Sequence, residues 1–135
     1  MLAKTIEFVD FDGVKRKETH YFNLSKAEIM EMELSIDGGF AEKLTKMIDS
    51  INGPEIMRTF KELIMKSYGK KSDDGRRFIK DPELTKEFME TEAYSEFFME
   101  LCTDAKAAAN FVNNIVPSDV KLDDDAISKI ENRIN

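Results

Sequence analysis

The 135-residue chain has no tryptophan, one cysteine and one histidine, and each scarcity removes a class of function. With Cys102 alone there is no intrachain disulfide and no cysteine metal cluster. Cys102 follows Leu101 in an apolar stretch, the setting of a small core residue rather than of a nucleophile. The single histidine, His20, falls in a predicted strand at the other end of the chain. Acid–base chemistry near neutral pH would then have to come from carboxylates of raised pKa. There is no Gly-rich phosphate loop, no His or Cys metal spacing and no nucleophile elbow. No apolar run approaches the roughly 20 residues that a membrane-spanning helix needs. The opening MLAKTIEFVDFD lacks the charged-then-apolar pattern of a secretory signal. These absences lead us to expect a protein of the cytoplasm, not an enzyme, with no cofactor, metal or membrane partner.

What is present describes a globular domain. Apolar residues make up 41% of the chain and charged residues 35%, the balance of a soluble fold rather than a disordered one. Net charge is −7 and unevenly spread. Residues 70–80, KKSDDGRRFIK, carry five bases and two acids, whereas residues 81–116 carry eight acids and two bases. One short basic loop on an acidic chain argues against a nucleic-acid surface, which needs Lys and Arg clustered over a face.

Local signals predict a mainly α chain of α+β type, an N-terminal β-hairpin followed by a compact bundle of five to six short helices. Ile6 and Phe8 alternate with Thr5 and Glu7, a second extended run covers Lys15 to Phe22, and Asp10 to Gly13 between them reads as a turn. A pairing of Glu7 with Arg16 is preferred to a slip that sets it against Glu18. Ser25 and Glu28 read as a capping box, and Asp37-Gly38-Gly39 as the stop of that helix. Phe40, Leu44, Met47, Ile48 and Ile51 form one helical stripe, and Ile56, Phe60, Leu63, Ile64 and Tyr68 a second, closed by Gly69. Residues 70–80 read as a solvated connector. Asp81-Pro82 restarts a helix, Tyr94 to Cys102 line another, and Thr103 or Asp104 caps a third that Pro117 ends. Residues 1–117 are expected to form the single domain. Residues 118–135 are a polar tail in which AISKIENRI is a candidate short helix.

Three clusters that could suggest chemistry have plainer readings. Glu90, Glu92, Glu96 and Glu100 stand at helical spacing and read as a solvated face rather than a carboxylate pair for hydrolysis. Asp10, Asp12 and Gly13 lack the remaining ligands of a calcium loop, with Tyr21 where the bidentate glutamate would stand. Asp123 to Asp125 suit a helix N-terminus. More informative are eight methionines and ten phenylalanines. Met30, Met32, Met57, Met65, Met89 and Met99 sit beside the main stripes, either as core filler or as an adaptable apolar surface.

The segment from Lys66 to Pro117 resembles the tail assembly chaperones of siphophages and related prophages. The shared pieces are SYG at Ser67 to Gly69, DGRRFIK at Asp74 to Lys80, TEAYSEFFMEL at Thr91 to Leu101, and FVNNIVP at Phe111 to Pro117. The resemblance implies a non-enzymatic chaperone of the host bacterial cytoplasm, absent from the mature virion. It would bind the tape measure protein, keep it soluble and help tail tube protein assemble around it. Self-association into a homo-oligomer is expected, because coating a long filament takes many copies. Tyr94, Phe97, Phe98, Phe111, Ile115 and Val116 are the candidate partner-binding residues, chosen for their density within the resembling segment. The alternative from another class is a small acidic phage or prophage protein that binds and inhibits a host protein.

Overall fold

The computed structural model describes residues 1–35 and 53–117. The stripe at Phe40 to Ile51, the stop at Asp37-Gly38-Gly39 and the tail 118–135 lie outside the described residues.

Strands β1 (Leu2–Val9) and β2 (Lys15–Phe22) pair antiparallel. The loop between them is built by Asp10. Its Oδ1 accepts from the backbone N–H groups of Asp12 and Val14 at 2.9 Å each, and its Oδ2 accepts from Arg16 Nε at 2.5 Å. Gly13 takes φ +80°, the left-handed conformation a three-residue hairpin loop requires at that position. Asp10 is thus committed to the turn. The Arg16 hydrogen bond, followed by those from the backbone, holds its carboxyl below the ordinary carboxylate value.

The register differs from the expected one. Glu7 faces Lys17, Phe8 faces Arg16 and Ile6 faces Glu18. A one-residue shift in either direction would put Ile6 and Phe8 on the opposite face from Phe22, because directly paired residues share a face. The observed register brings all three into the core. On the outer face the Thr5 and Thr19 hydroxyls meet at 3.0 Å.

The hairpin is only half of the sheet. After helices α1 (Lys26–Ser35) and α2 (Gly53–Ser67), the chain forms β3 (Tyr68–Lys71) and β4 (Phe78–Ile79), giving an antiparallel sheet in the order β1-β2-β3-β4. The α+β class holds, but the connector expected at 70–80 is a second hairpin. Gly69 does not cap α2 through a left-handed turn. It sits where a Cβ would lie 2.7 Å from the Ile79 carbonyl oxygen and against the Phe78 ring, so β3 and β4 approach this closely only over glycine.

Three helices follow: α3 (Pro82–Met89), α4 (Glu92–Thr103) and α5 (Ala105–Ile115). Each starts at a side-chain cap. Asp81 accepts from Glu83 N, Thr91 from Tyr94 N, and Asp104 from the N–H groups of Lys106 and Ala107. The box at α1 is reciprocal, Glu28 N to Ser25 Oγ at 3.1 Å and Ser25 N to Glu28 Oε1 at 3.0 Å. Helix α4 packs against β1, α2, α3 and α5. Phe22 lies among the rings of Phe97 at 5.1 Å, Tyr68 at 5.6 Å, Phe111 at 5.8 Å and Phe88 at 5.9 Å, and is fully buried. These offset and edge-on contacts add to the burial of apolar area at the centre of the core. No helix among the described residues is long and apolar enough to cross a membrane.

Candidate functional site

Two backbone hydrogen bonds lock the segment after β2 to the ends of two helices. Asn23 N donates to Ser67 O at 2.7 Å, and Leu24 N donates to Ile115 O at 2.6 Å. Beside them, the start of α1, the end of α2 and one side of α3 surround an open groove of about 820 Å³. Its apolar lining comes from Leu24, Met65, Tyr68, Pro82 and Met89, and its charged lining from Glu28, Glu31, Lys66, Lys80, Asp81, Lys86 and Glu90. Lys80 clamps one side. Its Nζ lies 2.8 Å from Glu28 Oε2 and donates to Lys66 O at 2.6 Å. Burial raises the Glu28 pKa, but the hydrogen bonds from Lys80 and the Ser25 N–H outweigh it, and the carboxyl sits below its ordinary value.

Tyr68 links the groove to the core. Its ring stacks on Phe88 at 4.4 Å and 8°, and its hydroxyl lies 3.1 Å from His20 Nδ1. Glu18 Oε1 lies 3.1 Å from His20 Nε2. A carboxylate only accepts, so Nε2 carries a proton, and in the neutral ring Nδ1 accepts from the Tyr68 hydroxyl. Burial, then the charges of Glu18 and Glu87, push the Tyr68 pKa up and keep that hydroxyl a donor. This trio fixes the orientation of the Tyr68 ring. The Cys102 thiol, half-buried against the core, is likewise raised by burial and held in its unreactive protonated form. No group of three or more His, Cys, Asp or Glu among the described residues is arranged to hold a metal ion. The groove offers an apolar surface with charged edges, a lining chemically able to take the apolar face of an amphipathic segment.

The six residues picked from sequence divide by depth. Phe97, Phe111, Ile115 and Val116 are buried in the core. Phe97 and Phe111 meet edge-on at 5.3 Å, and the Ile115 carbonyl is held by Leu24 N. Only Tyr94 and Phe98, with rings 5.8 Å apart, keep part of their surface exposed while packing against the core. Density of aromatics marked the core, because core and contact faces share the same helical spacing. Most of the described methionines point outward. Met30, Met57, Met65 and Met99 are exposed and Met89 is half-buried, while the Met32 side chain lies outside the described set. The groove residues Leu24, Pro82 and Tyr68 carried no such mark in the sequence. Met65 and Met89 did.

A family model described as phage tail assembly chaperone matches residues 1–131 of the chain. No curated protein matches, and no solved structure matches.

Proposed function

Because the chain belongs to the phage tail assembly chaperone family, we propose that it binds the tape measure protein through the Met65–Met89 groove and keeps it soluble while tail tube protein assembles around it. A tape measure protein is long and helical, and its apolar stripes would aggregate if left bare. The observation that carries the reading is the open groove with two methionines in its lining and charge on its edges. Methionine is unbranched and polarisable, so one groove can repack around many different turns of a long helix. Net charge of −7 would keep a coated filament dispersed. In this reading the protein has no catalytic role, acts in the host bacterial cytoplasm and is left out of the finished virion. Tyr94 and Phe98 supply a secondary contact on α4. The test is co-expression with the tape measure protein of the same phage, followed by affinity capture and a solubility assay. Co-elution with a soluble tape measure supports the reading, and an insoluble, unbound tape measure overturns it.

A further inference from the structure

The sheet has one covered face and one open face. Ile6, Phe8 and Phe22 turn inward to the core that α3, α4 and α5 close. Alternation along the strands therefore turns Thr5 and Glu7 of β1, and Lys15, Lys17, Thr19 and Tyr21 of β2, to the other side. All of these but the half-buried Tyr21 are exposed. Gly69 pairs with Tyr21, so β3 brings Gly69 and, two residues on, Lys71 to the same side. Phe78 of β4 pairs with Lys71, and its ring lies back over Gly69.

Charge on this side is almost all positive. Glu7 is the one carboxylate that the four strands turn to it, and Lys17 meets Glu7 at 3.9 Å. Lys15 and Lys71 make no ion pair among the described residues, and neither do the exposed Arg76 and Arg77 of the β3–β4 turn. Asp74 is spent inside that turn, where its Oδ1 accepts from Ser72 Oγ at 2.7 Å and Arg76 N at 3.0 Å. Along the chain, residues 70–80 form a single short basic stretch. In the sheet, Lys71 joins Lys15 and Lys17 on one face, while the eight acids of residues 81–116 belong to the segment of α3 to α5.

Two rings floor the face. Tyr21 and Phe78 are half-buried and stand outside the core cluster, and Lys80 Nζ lies 5.6 Å from the Phe78 centroid. Aromatic rings bordered by lysines suit a single-stranded nucleic acid, whose bases stack while its phosphates meet the cations. Beside them the Thr5 and Thr19 hydroxyls meet at 3.0 Å. One of the two O–H groups makes that bond, which leaves the other free to donate. A ribose 2′-hydroxyl, donor and acceptor at once, can receive it. We propose that this open face binds single-stranded RNA, stacking bases on Tyr21 and Phe78, holding phosphates with Lys15, Lys17 and Lys71, and reading 2′-hydroxyls with Thr5 and Thr19. The site goes beyond the tape-measure reading and is measured without that protein, so either can fail alone.

The experiment is fluorescence anisotropy of the purified full chain with a labelled mixed-sequence RNA of about 20 nucleotides, at salt from about 50 to about 200 mM. The same DNA sequence and a labelled polyglutamate peptide are measured beside it. Three variants accompany the wild type, each checked for folding by circular dichroism: Lys15→Ala with Lys71→Ala, Tyr21→Leu, and Thr5→Val with Thr19→Val. The wild type is expected to bind RNA with a log–log salt slope of about −2, at about 0.7 for each of three lysines. The double lysine variant should bring the slope to about −0.7. Tyr21→Leu should weaken binding about fivefold or more and leave the slope unchanged. Wild type should prefer RNA to DNA by about fivefold, and the double threonine variant should lose that preference. No RNA binding at low salt, or lysine and tyrosine variants that bind as wild type does, would overturn the proposal. DNA bound as tightly as RNA would overturn the 2′-hydroxyl contact. Polyglutamate bound as tightly as RNA would make the face a dock for acidic protein segments instead.

Discussion

Lys80 Nζ bridges Glu28 Oε2 at 2.8 Å and the Lys66 carbonyl at 2.6 Å, so one ammonium joins the exit of β4 to the first turn of α1 and the last turn of α2. The glutamate it holds is also the acid of the α1 capping box. The clamp therefore ties a helix cap to the wall of the groove, across 52 residues of chain.

Replacing Lys80 with Met should lower stability at neutral pH by about 0.5–1 kcal/mol, the range of a partly exposed ion pair. The Glu28 pKa is depressed in the folded state. A depressed carboxylate adds stability above its unfolded pKa, about 4.3, and loses it as pH falls through the folded value. The gap between wild type and variant should then close as pH falls below about 4. Urea unfolding at pH 7 and pH 3 measures it.

Gly69→Ala should cost about 1–3 kcal/mol, the usual range for forcing extra atoms into a packed site. The added methyl would press on the Ile79 carbonyl, which is backbone and cannot swing aside. Thermal denaturation checks this. A cost near zero would mean that β3 and β4 are not held this close.

The aromatic residues separate by burial. Phe111→Asp and Ile115→Asp place an unpaired charge in the core and should abolish cooperative folding at room temperature. Phe98→Asp, at a half-exposed position, should leave a folded chain. Circular dichroism melts of the three variants distinguish the classes.

Cys102 should react with iodoacetamide at pH 7.5 at least about tenfold more slowly in the folded chain than after denaturation. Burial raises its thiol pKa and limits access, and the thiolate is the reactive form. Mass spectrometry of timed samples reads the rate.

Much of the helical punctuation is legible in the sequence, because caps are local chemistry. Ser25 with Glu28, Asp81 before Pro82, and Asp104 before the alanine-rich helix all do in the structure what their side chains suggest. The second hairpin is not legible. Its strands are short, one is half lysine, and Gly69 after a helical stripe carries the same signal as a helix terminus. The β1–β2 register turns on which face Phe22 takes, and charge pairing at Glu7 does not report that. The groove is legible only through Met65 and Met89, since Leu24, Tyr68 and Pro82 converge by tertiary packing.

The most direct measurement co-expresses the tape measure protein with the wild type or with a Met65→Glu, Met89→Glu double variant. Met65 is 43% exposed and Met89 half-buried, so the variant should fold while its groove lining becomes charged. The account predicts that the wild type captures soluble tape measure protein and that the folded variant recovers less than about a tenth as much, the equivalent of about 1.4 kcal/mol in binding. Equal capture by wild type and variant would contradict the groove as the binding site, and no capture by either would contradict the tape-measure reading.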